Sequence, residues 1–137
     1  MSKFLDVYLR QPKIIVMKKS LTKAEEQIMH ALWSVGTGGV QDIMGLLEAR
    51  PARTTVATLL SILENKGFVT RTLSGRQNIY RPALSKREYS KTQLQSLVKN
   101  YFDGSFGSMI SFFAAENNIS LEQLDEMISQ TRKELEP

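Results

Sequence analysis

Cysteine is absent from this chain, and histidine and tryptophan occur once each, at His30 and Trp33. The lack of cysteine excludes disulfide frameworks, thiolate metal sites and cysteine nucleophiles, and it agrees with a reducing compartment. One histidine, no phosphate-cradling glycine loop and no acid pair in an apolar setting leave none of the usual catalytic constellations to assemble. No enzymatic activity, metal or cofactor is expected. His30 falls on the outer side of a helical pattern and reads as a surface residue. Glu116, Glu122, Asp125 and Glu126 do not make a metal site, because acids in the first turn of a helix are accounted for by the helix dipole. Long apolar runs are missing as well. The longest near the N-terminus, Ile14 to Met17, is too short for a signal sequence or a spanning helix. A cytoplasmic protein without membrane insertion is expected.

What is present suffices for a core. Of the 137 residues, 42% are hydrophobic, which fits one domain or a small domain with an appendage and is far from the composition of disorder. The net charge of +4 is unevenly spread. From Arg50 to Lys91 nine basic residues stand against two acidic ones, whereas from Tyr101 to Pro137 seven acidic residues stand against two basic. A basic middle with an acidic tail suggests that one part meets a polyanion and the other does something else.

Local patterns give an order of elements. Thr22 with Glu25 three residues on is a capping-box signature, and Ile28, Met29, Leu32 and Trp33 mark one face of a helix that Gly36 stops. After a short extended link at 37–39, a second helix is expected over about 40–49, with Ile43, Leu46 and Leu47 inward. Pro51 breaks the chain. A third helix covers 53–66, with Gly67 placed for a left-handed C-cap. The period then switches, and FVTRTL, the turn dipeptide SG and RQNIYRP read as a hairpin. Helical periods return over 86–102, over 106–116 and, after a second capping signature at Ser120 and Gln123, from 121 towards 135. Residues 1–19 read as a flexible extension, since MKKSLTKAEE from Met17 would serve as an ordinary start. A basic arm for a minor groove is the other reading of that segment.

Helix, helix, helix, hairpin is the order of a winged helix-turn-helix. The expected fold class is mostly α, with a winged-helix DNA-binding domain over 20–84 and a helical dimerisation domain over 85–137. In such a domain the third helix lies in the major groove, its N-terminal half nearest the bases. This gives a reason for the composition of RTTVATLLSILENKGFV. Val56, Leu59, Leu60 and Leu63 face the core, while Thr54, Thr55, Thr58 and Ser61 form a thin hydroxyl face. Such a face permits close approach, bonds base edges or phosphates, and touches thymine methyls. A solvated face with one threonine serving as a cap is the alternative. Arg53 and Arg76 are expected as phosphate ligands. Arg71 and Arg81 are either further DNA ligands or ordinary outward strand residues, and Lys23 reads as solvated.

Taken together, LTKAEEQIMHALW, TTVATLLSILENKGFV, GRQNIYRPALSKREY and YFDGS resemble, in order and spacing, the BlaI/MecI penicillinase-repressor family of bacterial transcriptional regulators, over about residues 21–135. The resemblance implies a homodimer whose N-terminal winged helices bind a palindromic double-stranded DNA operator and whose C-terminal helices form the dimer interface. It also implies relief of repression when a membrane-bound sensor protease triggers cleavage in the C-terminal region. The chain departs from the family at named positions. Thr54, Ala57 and Ile62 stand in helix 3, where members often carry Lys or Arg, and Gly39 stands where they often have a Ser or Thr cap. Ser96-Leu97 aligns with their Asn-Phe cleavage pair, and a similar pair, Asn100-Tyr101, follows a turn later. The cysteine cluster of the copper-responsive branch has no counterpart.

The aromatic residues bear on the C-terminal half. Tyr89, Tyr101, Phe102, Phe106, Phe112 and Phe113 crowd a stretch whose three helices make a thin domain on their own. An intramolecular core is one reading. The favoured one is an interface with a second copy, built from Leu97, Tyr101, Phe102, Phe106, Phe112, Phe113, Leu124 and Ile128. The functional expectation is a dimeric, sequence-specific DNA-binding repressor, and the alternative is a winged-helix protein-interaction module with no operator of its own.

Overall fold

Thr22 opens the first helix: its hydroxyl accepts the Glu25 amide at 3.2 Å, and α1 runs Lys23–Val35 before Gly36 ends it. The chain is described here by a computed structural model over residues 20–136, so the expected extension over 1–19 lies outside the described residues. Five further helices and one hairpin follow: α2 (Val40–Met44), α3 (Arg53–Lys66), β1 (Val69–Ser74), β2 (Gln77–Pro82), α4 (Lys86–Tyr101), α5 (Phe106–Glu116) and α6 (Leu121–Leu135). The fold is mostly α with a winged helix, as expected. The described chain divides into two compact units, one ending at Thr92 and the other beginning at Gln93.

In the first unit, Ile28, Met29 and Leu32 of α1 meet Ile43 of α2 and Val56, Leu60 and Leu63 of α3 in one core. Each fully buried side chain of this kind is worth about 1.5–3 kcal/mol. The end of α3 is fixed by its own backbone. The Phe68 amide donates to the Leu63 carbonyl at 2.9 Å and the Gly67 amide to that of Glu64 at 3.0 Å, with Gly67 at φ 85°. That is a Schellman closure, which glycine enters without strain, and the accompanying apolar contact is supplied by Phe68 and Leu63 in the core. β1 and β2 pair antiparallel, and the expected extended link joins them: Gly38 and Tyr80 exchange backbone hydrogen bonds at 3.0 and 2.8 Å.

Three local expectations are corrected. The second helix ends at Met44 and not near Ala49. Gly45 is a poor helix residue, and the chain continues in three-residue turns that leave Leu46 exposed. The hairpin turn is Gly75-Arg76, one residue later than Ser74-Gly75, because Ser74 pairs with Gln77 and Gly75 takes φ 63° at the first central position. The capping box of α1 is only half formed. Glu25, 3% exposed, turns its carboxylate to Lys66 at the end of α3, whose Nζ donates to the two oxygens at 2.7 and 3.1 Å and to the Ser20 carbonyl at 3.2 Å.

Tyr89 also belongs elsewhere than its neighbours in sequence suggested. It is buried in the first unit, with its ring 5.5 Å from that of Trp33 and 6.0 Å from that of Phe68, and its hydroxyl donates to Glu26 at 3.2 Å. Trp33 donates its indole N–H to the Leu84 carbonyl at 2.9 Å. Burial, and then the charge of Glu26, push the Tyr89 pKa up to about 12.

The second unit has capped helices but little interior. Ser105 caps α5 through the Ser108 amide, and Ser120 and Gln123 form a complete capping box on α6. Val98 and Ala114 are its buried hydrophobic residues among those described.

Candidate nucleic-acid interface

The hydroxyl face of α3 is exposed along its length. Thr54, Thr58 and Ser61 follow one another at helical neighbour spacing, and Thr55 lies on the flank. None of the threonines acts as a cap. The N-cap is Ala52, which offers no side-chain acceptor, and the first turn contains no acid but does contain Arg53. Giving up a capping side chain costs about 1 kcal/mol, and a cation at this end opposes the helix dipole. A phosphate supplies both missing interactions.

The expected arginines are in different situations. Arg53 donates to the side-chain carbonyl of Gln41 on α2 at 3.0 Å, which holds it against the start of α3. Arg71 donates through Nε to Glu64 of α3 at 3.1 Å, so the base of the wing is tied to that helix. Arg76, in the wing turn, is exposed and has no ion-pair or hydrogen-bond partner among the described residues. Arg81 is exposed too, but it pairs with Thr70, and strand alternation puts it on the hairpin face opposite Arg71. The hydroxyls of α3, Arg53, and Arg71 through Glu64 are thus held on or beside one helix, whereas Arg81 is turned to the other face of the hairpin. Gln41 and Glu64 were not legible as positioning residues. Neither belongs to a motif, and each is signalled only by the arginine it meets.

A sequence model of the penicillinase repressor family matches residues 21–133. The chain belongs to the penicillinase repressor family. The penicillinase repressor of Bacillus licheniformis is 24% identical over 115 residues, which cover 81% of this chain and 90% of that protein. Among solved structures, the oxidized form of MarR from E. coli is similar at a TM-score of 0.44 and 11% identity, covering 99% of this chain and 94% of that one. A MarR family protein from Bacillus stearothermophilus is similar at 0.45 and 15%, covering 93% and 89%. Membership of the penicillinase repressor family supports a DNA-binding transcriptional repressor and not an enzyme class. No helix among the described residues is long and apolar enough to cross a membrane.

In the second unit most of the residues expected at a dimer interface face outward. Leu97, Tyr101, Phe106, Phe112, Phe113 and Ile128 are exposed, Tyr101 by 77%. Phe102 is half-buried with its ring 5.5 Å from that of Phe112, and Leu124 is half-buried. An apolar groove of about 650 Å³ between α5 and α6 is lined by Ile110, Phe113, Leu124, Met127, Ile128 and Leu135.

Proposed function

We propose that this member of the penicillinase repressor family is a cytoplasmic homodimer that represses transcription by binding a palindromic operator. In this reading α3 enters the major groove, with Thr54, Thr55, Thr58 and Ser61 against base edges and phosphates and Arg53 at the backbone. The wing contacts the neighbouring backbone through Arg76, assisted by Arg71 and Arg81. The observation that carries the reading is the start of α3: a helix of 14 residues with an exposed hydroxyl face, an uncapped N-terminus and an arginine in its first turn. The family match supports it independently.

Dimerisation falls to residues 85–137 in this reading, and the support is the exposed apolar surface of α4, α5 and α6. Two winged helices bound about one helical turn of DNA apart act as one ligand only if something fixes their spacing. Several buried side chains at about 1.5–3 kcal/mol each hold such a pair against the entropy of association. We extend the proposal to induction by a membrane sensor protease, which the family resemblance suggests; Ser96-Leu97 and Asn100-Tyr101 both lie within α4.

Titrating duplex DNA binding with salt tests the function. A steep, linear fall of log affinity with log salt is expected, and salt-insensitive or absent binding would favour a protein-interaction module. Sedimentation tests the second part. The full chain is expected to be a dimer and residues 1–92 a monomer that binds a half-site weakly. Residues 1–92 are chosen because a chain ending at Leu84 loses Tyr89 from the core.

A further inference from the structure

We propose that Gln77, seated over Gly39 at the start of α2, holds the wing in the lean that presents Arg76 to a phosphate; this rests on the DNA-binding reading above. Gly39 is buried and is the N-cap of α2, with φ −86° and ψ 177°. That is extended backbone open to any residue, so nothing in the main chain asks for glycine here. Capping does not ask for it either. Ser, Asn or Asp would add a side-chain acceptor at this position. Gly39 adds none, and its own amide is satisfied by the Asp42 carboxylate at 2.9 Å.

What the glycine provides is room. A Cβ placed on it would overlap the side-chain nitrogen of Gln77 and lie 3.1 Å from Gln77 Cδ and 3.5 Å from the Asn78 carbonyl oxygen. The opposite holds at Gly36 and Gly75, where φ is 85° and 63° and a Cβ would meet no atom within 4 Å. Those two serve the backbone, whereas Gly39 serves a side chain of the wing. The register explains why Gln77 arrives there. Gly38 exchanges hydrogen bonds with Tyr80, so the link at 37–39 runs beside β2. Tyr80 faces the core, and strand alternation puts Gln77, Ile79 and Arg81 on the other side. Gly39, next to Gly38, lies on that other side as well.

Gln77 pairs with Ser74 and closes the turn that carries Arg76. Arg71 ties the hairpin to Glu64 of α3 from one side, and Gln77 braces it against the start of α2 from the other. The tip is thereby held before DNA arrives. A two-stranded hairpin is only marginally stable by itself, and an arginine on an unbraced tip has to be ordered when it binds. Ordering of this kind lowers affinity without removing the contact. Gln77 is thus a positioning residue, which touches no phosphate itself and acts through Arg76.

The test uses the full chain with the inverted repeat it selects and with random duplex. Gly39→Ala is expected to bind both about fivefold more weakly, the ordering cost of one freed side chain. Its urea midpoint, followed by Trp33 fluorescence, should not change, because the group displaced is the far end of a flexible side chain. Gln77→Ala, at an exposed position, is expected to lose as much, and the double variant no more than either single one. In an Arg76→Ala background neither substitution should have a further effect. A lowered midpoint for Gly39→Ala would leave Gln77→Ala as the deciding variant. Wild-type affinity for Gln77→Ala, or for a folded Gly39→Ala, would overturn the inference. So would an undiminished loss in the Arg76→Ala background, which would give Gln77 a contact of its own. Each of these outcomes leaves the DNA-binding reading in place. Absence of salt-dependent duplex binding by the unmodified chain would overturn both.

Discussion

Replacing Lys66 by Met removes one partner of the ion pair that ties the start of α1 to the end of α3. Glu25 stays behind at 3% exposure, deprived of contacts at 2.7 and 3.1 Å. Breaking a buried pair in this way costs about 3–5 kcal/mol. The Lys66 side chain is 27% exposed, so water partly screens the pair, and about 2–3 kcal/mol is the expected loss. For a unit this small, with a urea slope of about 1 kcal/mol per molar, the midpoint should fall by about 2–3 M. Trp33 is the sole tryptophan and is bonded to Leu84 beside Tyr89, so its fluorescence reports unfolding of this unit. Glu25→Gln combined with Lys66→Met should recover part of the loss, since no uncompensated charge then remains, and the double-mutant cycle measures the coupling. A midpoint shift under about 0.5 M for Lys66→Met, with the double variant no better, would refute the reasoning: the pair would then behave as an exposed one.

Arg76→Ala should weaken binding to operator and random duplex nearly equally and lower the salt slope by about one unit; a loss confined to operator, with the slope unchanged, would make Arg76 a base reader. Thr58→Ala should change stability by no more than about 0.5 kcal/mol while costing about 1–3 kcal/mol of discrimination at one operator position, measured on a panel of operator variants. Tyr89 keeps its proton in the folded chain up to about pH 12, while an unfolded tyrosine loses it near pH 10. Stability should therefore be insensitive to this group below pH 10 and fall through the window from 10 to 12, by up to about 1.4 kcal/mol per pH unit; Tyr89→Phe should flatten that slope, and an unchanged slope would show that other groups cause it.

Elements closed by local rules were legible in the sequence. The limits of α3 follow from Val56, Leu60 and Leu63 at helical spacing and from Gly67, whose positive φ the backbone closure requires. Where a long-range contact overrode a local rule, the sequence misled. Glu25 satisfies the capping signature, yet its carboxylate goes to a lysine 41 residues away. Leu46 and Leu47 extend the helical period of α2, but Gly45 and the turns after it take the chain out of the helix first. Nothing in the period of α4 marks the division at Thr92, because the helix runs through that position, and so the sequence alone groups Tyr89 with the aromatics of the second unit. At the interface, the threonine face needed only the helical wheel. The partners that hold Arg53 and Arg71, Gln41 and Glu64, needed coordinates, because neither residue type at either position implies an arginine nearby.

In the proposed mode of repression, α3 and the wing of two protomers bind one palindromic site. Selection of bound duplexes by the full chain from a random library, followed by sequencing, tests it most directly. An inverted repeat is expected, with half-site centres about 10–10.5 base pairs apart or a multiple of that spacing. Recovery of sequences without a shared motif, or of a single half-site with no symmetric partner, would contradict it.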